Sequence, residues 1–198
     1  MARLISASTA FLGIILAAPI MLLLAAAIAL AMGRPVLFRQ ERVGLDGKPF
    51  EMMKFRSMRD TYDADGKLLP DADRITPLGR FLRRSRLDEL PELLNILRGD
   101  MAWIGPRPLL PRTIATMGDA GLRRSAVRPG LTGWAQVNGN SLLSDEEKLG
   151  LDLWYAENRN PLLNVMIVLS TIRVILVGER VNRRALERCR ASNPSRSS

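Results

Sequence analysis

From Leu4 to Gly33 the chain carries no charged residue. Pro19 lies near the centre of this stretch, and Arg3 and Arg34 bracket it. As a helix, its thirty residues would extend roughly 45 Å, against the ~30 Å hydrocarbon core of a bilayer. A simple span is therefore long enough. Pro19, however, removes a backbone hydrogen bond and kinks a helix. Arg3 on one side and Arg34, Arg39 and Arg42 on the other leave the positive-inside rule without a winner. These features favour a broken, re-entrant helix-turn-helix with both flanks on the cytoplasmic side, and a single-span anchor is the competing reading. A secretory signal peptide fits less well, because the apolar run is too long and no clean cleavage site follows it.

The remaining length is enough for one modest domain. The net charge is +9 over 198 residues, and 25 of the 29 basic residues are arginine, a side chain suited to phosphates and anionic lipid surfaces. Nucleic acid is the other usual partner of such a charge. Here the basic residues are spread around an apolar, membrane-seeking chain, so no nucleic-acid partner is expected. There is no histidine, which excludes Ser-His-Asp and Cys-His machinery and His-ligated metals. Acid–base or nucleophilic chemistry must come from carboxylates, lysine or tyrosine. The single cysteine, Cys189, cannot form an intrachain disulfide, which fits a reducing compartment.

Turn and cap signals give the local organisation. Val36 to Arg56 reads as a β-hairpin about a two-residue Asp46-Gly47 turn. Asp60 to Thr76 reads as a loop, and Pro77 to Arg98 as interrupted helix. Gly105-Pro106-Arg107-Pro108 is a rigid turn, and Leu122 to Ser125 ends a short helix. Arg128 to Asn140 is Gly-rich and extended. Ser144 to Asn158 is a helix opened by a Ser144/Glu147 capping box. Pro161 to Val177 is mostly apolar but carries Asn164 and Arg173, which suits a core or interfacial helix better than a span. No P-loop and no dinucleotide-binding glycine motif is present.

Ser85 to Glu92 is the most informative soluble segment. Ser85 and Asp88 have capping-box spacing, so a helix could start at Arg86. Leu87, Leu90, Leu94 and Leu97 then share one face, and Asp88, Glu89 and Glu92 gather on the other. Carboxylates near a helix N-terminus are favoured in the ionised form and can hold Mg²⁺ or act as nucleophiles. An ordinary amphipathic helix with a solvated acidic face accounts for the spacing as well. Lys54 and Arg56 at the hairpin's end, Arg107 in its turn and Arg128 before Pro129-Gly130 are candidate phosphate ligands. Arg80, Arg83, Arg84 and Arg86, beside Leu78, Phe81 and Leu82, suit a face lying on anionic lipid. Trp103, Trp134 and Trp154 could stack on a base, although packing is their commoner role.

Five segments together resemble the bacterial sugar transferases, the monotopic phosphoglycosyl transferases that begin glycoconjugate assembly. They are Phe38-Arg39-Gln40-Glu41-Arg42-Val43-Gly44, Lys54-Phe55-Arg56-Ser57-Met58, Leu87-Asp88-Glu89-Leu90-Pro91-Glu92-Leu93, Gly105-Pro106-Arg107-Pro108-Leu109, and Arg128 through Gly139. They occur in family order over nearly the whole chain, and the length resembles the family's minimal form, with no added N-terminal multispan or regulatory domain. The resemblance implies transfer of a phosphosugar from a UDP-sugar to undecaprenyl phosphate with release of UMP, the first membrane step in making a polysaccharide or other glycoconjugate. It implies Mg²⁺ held by Asp88 and Glu89, with Asp88 as the nucleophile that carries a covalent phosphosugar. It also implies phosphate or substrate contacts by Lys54, Arg56, Arg107 and Arg128. Asp152 falls at a family-like acidic position and joins that group with its role open.

The chain departs from the family pattern at Ala18, Ala102-Trp103, Asn140 and Asn164, and Asn140 could alter sugar or phosphate recognition. The expected architecture is α+β and monotopic: a re-entrant membrane helix broken at Pro19 over 1–34, a cytoplasmic catalytic domain with interfacial helices over 35–188, and a disordered basic, Ser-rich tail over 189–198. The location that the resemblance implies is the cytoplasmic face of the bacterial inner membrane, among its lipids, with a homodimer admitted. A related phosphotransferase using another nucleotide sugar or acceptor, and a catalytically silent membrane-anchored scaffold, are the alternatives.

Overall fold

The computed structural model describes residues 2–191. The fold is α+β. Its residues divide into two compact units, Met1–Gln40 with Glu51–Gly99, and Glu41–Phe50 with Asp100–Ser198.

The first unit begins with α1, Ala2–Met32, a single helix that contains Pro19. No turn interrupts it, because one missing hydrogen bond perturbs a helix locally while the ladder continues on both sides. Arg3–Met32 is long and apolar enough to cross a membrane. Most of its large side chains, Leu4, Phe11, Leu16, Leu23 and Leu30 among them, are exposed, while Leu24 and Ile28 are buried. Its C-terminal carbonyls are held by arginines, with Arg59 Nη2 donating to Ala31 O at 2.8 Å and Arg56 Nη1 to Met32 O at 3.4 Å. Cations favour that end of a helix.

Strands β1, Leu37–Val43, and β2, Pro49–Phe55, form the expected hairpin. The connection is longer than two residues. Gly44 N closes it on Lys48 O at 2.7 Å, and Asp46 (φ 54°) and Gly47 (φ 78°) both take left-handed backbone, the conformation for which Asp-Gly is selected. The far end of the hairpin, Glu41–Phe50, belongs to the second unit. The polar loop that follows contains one helical turn, α2, Asp71–Arg74.

Helix α3, Pro77–Ser85, starts at a Thr76 cap whose hydroxyl accepts from Gly79 N at 2.9 Å. Helix α4 is Glu92–Arg98, and α1 packs on it. The small core here joins Leu24, Ile28, Phe55 and Leu82, with Leu87 and Leu90 against it.

In the second unit β3, Ala102–Ile104, is followed by α5, Pro111–Thr116, α6, Asp119–Ser125, and β4, Gly130–Thr132. Strands β3 and β4 pair in parallel, Ala102 opposite Gly130 and Ile104 opposite Thr132. The segment after Arg128 is thus not extended throughout: β4 gives way to α7, Trp134–Val137, and a 3-10 turn at Asn140–Leu142. Next come α8, Asp145–Asn158, α9, Pro161–Val177, and α10, Arg183–Ala191. The capping box of α8 has both of its bonds, Glu147 N to Ser144 Oγ at 3.1 Å and Ser144 N to Glu147 Oε2 at 3.0 Å.

Helix α9 buries Leu163, Ile167 and Val174 and exposes Leu162, Val165, Leu169, Ile172 and Leu176, as an interfacial helix does. Asn164 ties it to α8 by accepting from Tyr155 OH at 2.9 Å. Trp134 and Trp154 stack at 5.3 Å in a core that α10 completes with Ala185, Leu186 and Cys189. The tail expected to lack order therefore begins as helix at residues 189–191, and 192–198 lie outside the described residues.

Candidate active site

The acidic motif occupies the joint between α3 and α4. Ser85 does not cap a new helix there. It is the last residue of α3, and its hydroxyl donates back to Phe81 O at 2.8 Å. Arg86 then takes left-handed backbone, φ 57°, and Leu87–Glu89 makes one 3-10 turn before Pro91 opens α4. A non-glycine residue in that conformation costs about 1–2 kcal/mol. Strain beside chemically useful side chains is a known signature of functional sites.

This joint changes the direction of the carboxylates. Asp88, Glu89 and Glu92 are only 9, 8 and 3 % exposed, whereas Leu97 is exposed. The solvated acidic face expected from the periodicity is thus buried, because a 3-10 turn and a proline replace a continuous helix. Lys54, from β2, sits among the acids, with Nζ 2.8 Å from Glu89 Oε1 and 3.1 Å from Glu92 Oε1. Arg86 Nη1 approaches Glu89 Oε2 at 3.8 Å. Among the described residues no ion pair within 4 Å reaches Asp88. Burial raises its pKa above the usual carboxylate value. The Lys54 ammonium opposes this, Glu89 adds to it, and Arg83 opposes it more weakly. Below the acids, Asn95 is wholly buried and fastens α4 to β2, accepting from Met53 N at 3.1 Å and donating to Glu51 O at 2.7 Å. No sequence signal pointed to Asn95.

Among the described residues no cluster of three acidic or cysteine ligands forms a ready metal cage. Adjacent Asp88 and Glu89 nevertheless fit Mg²⁺, which is commonly held by one or two carboxylates together with substrate phosphates. Arg56 is used structurally. Besides Met32 O, it donates to Met58 O at 3.0 Å and pairs with Asp60 at 2.8 Å. Lys54 likewise touches carboxylates.

The other predicted residues lie in the second unit. Arg107 and Arg128 sit in two motifs pressed together through glycine. A Cβ on Gly130 would lie 2.1 Å from Gly105 N, one on Gly105 2.2 Å from Arg128 O, and one on Gly133 2.1 Å from Gly105 O. All three contacts are with backbone, so only glycine permits the approach. Asp152 is buried on α8 and pairs with Arg124 of α6, its Oδ2 accepting from Nε at 2.9 Å and lying 2.7 Å from Nη2. Burial raises the pKa of Asp152 and Arg124 opposes the rise. Asp152, grouped with the candidate substrate residues with its role open, thus pairs with another side chain. Its partner Arg124 carried no sequence signal. Asn140, which departs from the family pattern, donates to Glu179 Oε1 at 2.5 Å.

A buried acidic dyad, in a chain without histidine, lies in the same compact unit as an apolar helix long enough to cross a membrane. The family model for bacterial sugar transferases matches residues 1–178, and the chain belongs to that family. Among its relatives is the protein named uncharacterized sugar transferase EpsL of Bacillus subtilis (strain 168), 46 % identical over 162 residues, 82 % of this chain and 80 % of that protein. The UDP-N-acetylgalactosamine-undecaprenyl-phosphate N-acetylgalactosaminephosphotransferase of Aeromonas hydrophila is 40 % identical over 178 residues, 85 % of this chain and 42 % of its own length. The UDP-glucose:undecaprenyl-phosphate glucose-1-phosphate transferase of Escherichia coli (strain K12) is 37 % identical over 171 residues, 80 % of this chain and 36 % of its own. The match thus covers less than half the length of the last two relatives.

Proposed function

We propose that the protein transfers a phosphosugar from a UDP-sugar to undecaprenyl phosphate and releases UMP. The observation that carries this reading is Asp88, a buried carboxylate with no ion pair of its own among the described residues, beside the Lys54–Glu89–Glu92 cluster. The activities for which two relatives are named support it. A carboxylate oxygen of Asp88 attacks the β-phosphorus. The bond from that phosphorus to the bridging oxygen breaks, UMP leaves with the oxygen, and the phosphosugar stays on Asp88 as an acyl phosphate. A phosphate oxygen of the lipid acceptor then attacks the same phosphorus, and Asp88 departs as carboxylate. Asp88 and Glu89 would hold Mg²⁺, which when bound neutralises diphosphate charge. Lys54 keeps Glu89 and Glu92 in place, and Arg107 and Arg128 supply phosphate contacts.

Purified protein in nanodiscs with Mg²⁺ and undecaprenyl phosphate is expected to release UMP from one member of a panel of UDP-glucose, UDP-galactose and UDP-N-acetyl sugars, and only when the acceptor is present. Folded protein silent across the panel overturns the reading.

The re-entrant topology belongs to the same proposal. In this reading Pro19, the one residue of α1 that cannot complete the hydrogen-bond ladder, would let the helix bend in the bilayer and return the chain to the cytoplasmic face, where a soluble nucleotide sugar and an interfacial lipid phosphate meet. The exposed apolar face of α9 is suited to lie on that interface. In a Cys189→Ser background, cysteines introduced at Ala2 and Gln40 should react with an impermeant thiol reagent from the same side. Reaction from opposite sides means a single span.

A further inference from the structure

The Pro106-Arg107-Pro108 turn is held by its backbone carbonyls, each gripped by a donor from a different segment. Gly130 N donates to Pro106 O at 3.0 Å, Arg124 Nη2 to Arg107 O at 2.5 Å, and Arg42 Nη1 to Pro108 O at 3.1 Å. Beyond the turn, Val43 N donates to Leu109 O at 3.0 Å. Gly105, Pro106 and Pro108 are buried, and Arg107 between them is partly exposed. Two prolines already restrict this backbone. Three donors on successive carbonyls leave it little freedom to swing.

Arg124 is itself fixed by Asp152. Both residues are nearly solvent-free, at 4 and 3 % exposure. Withdrawing such a pair from water is costly, and a well-packed apolar pair often serves stability as well or better. Stability is therefore a poor reason for the pair. What an apolar pair could not provide is the donor that Arg124 extends to Arg107 O.

We propose that Arg124 and Asp152, together with Arg42, are positioning residues that preset the Arg107 turn, so that its guanidinium meets a substrate phosphate without rearrangement. The inference rests on the reading of Arg107 as a phosphate ligand. The phosphate can belong to the nucleotide sugar or to the lipid acceptor, and separate KM values for the two substrates distinguish them. Preorganisation of this kind is expensive to lose, since small misplacements of a binding group cost one to two orders of magnitude.

The test is a double-mutant cycle with Arg107→Ala and Arg124→Lys, followed by acceptor-dependent UMP release, with the folded fraction matched by melting curves. Arg124→Lys keeps a cation beside Asp152 but cannot serve both acceptors with one rigid fork. It is expected to raise KM for one phosphate substrate roughly tenfold or more in the wild-type background, and to have almost no effect on KM when Arg107 is already alanine. Asp152→Asn and Arg42→Lys should follow the same pattern, and Arg42→Lys keeps the comparison open if the buried pair does not tolerate change. Equal effects in both backgrounds mean a purely structural role and overturn the proposal. If Arg107→Ala leaves both KM values and kcat unchanged, the reading of Arg107 falls first, and the positioning role falls with it.

Discussion

Asp88→Asn is expected to lower acceptor-dependent UMP release by at least about 10³-fold, the scale on which removing a covalent nucleophile acts, with no loss of thermal stability. The two effects separate because Asp88 is held in a site that disfavours its charge. Burial raises its pKa, so the native state keeps its proton to a higher pH than the unfolded chain does. Stability therefore falls as pH rises from the unfolded pKa through the raised native one, and the whole cost is present at neutral pH. Asparagine has nearly the same shape without that charge, so Tm of the variant at pH 7 should equal or exceed that of the wild type. The wild-type kcat/KM profile should show its acid limb above the pH at which an ordinary aspartate ionises. UMP release at wild-type rate by Asp88→Asn would remove Asp88 as the nucleophile.

Lys54→Met should have the opposite signature and damage the fold first. Its ammonium lies 2.8 and 3.1 Å from two carboxylates whose side chains are 10 and 4 % exposed. Removing one partner of a buried ionic cluster costs about 3–5 kcal/mol, which for a chain of this length lowers Tm by roughly 10 °C. Methionine keeps the apolar stem, so the loss reports the charge. Adding Glu92→Gln removes one of the two crowded carboxylates and should recover part of the Tm. Lys54 also opposes the upward shift of Asp88, so the acid limb of any remaining activity should move to higher pH. An unchanged Tm would show that the cluster does not stabilise the first unit.

The sequence pointed to Asp88 and Glu89 as the dyad but misjudged their surroundings. Periodicity places three acids on one face of a helix. It could not show that Arg86 turns left-handed, that Ser85 closes α3, or that Lys54 from a distant strand would enter the cluster. Asp152 shows the same limit. Its type and position were readable, whereas its partner Arg124, 28 residues earlier, was not, because neither residue carries a local signal of the other. The close approach of the Gly105 and Gly130 motifs escaped for the same reason, since a three-residue parallel pairing leaves almost no pattern in either strand.

What the sequence determined by itself is local or compositional. It includes the apolar length of α1, the Ser144–Glu147 cap of α8, the hairpin around Asp46-Gly47, the break at Pro91, and the exclusion of histidine-based chemistry. Each follows from residues within a turn or two, or from what is absent altogether. The tertiary structure alone decided that the acids are buried, that α1 continues through Pro19, that α10 closes the second core, and that Arg124 holds the Arg107 turn. Burial and partner choice depend on residues tens of positions apart, and their desolvation and ion-pair energies exceed the few tenths of a kilocalorie by which local propensities differ.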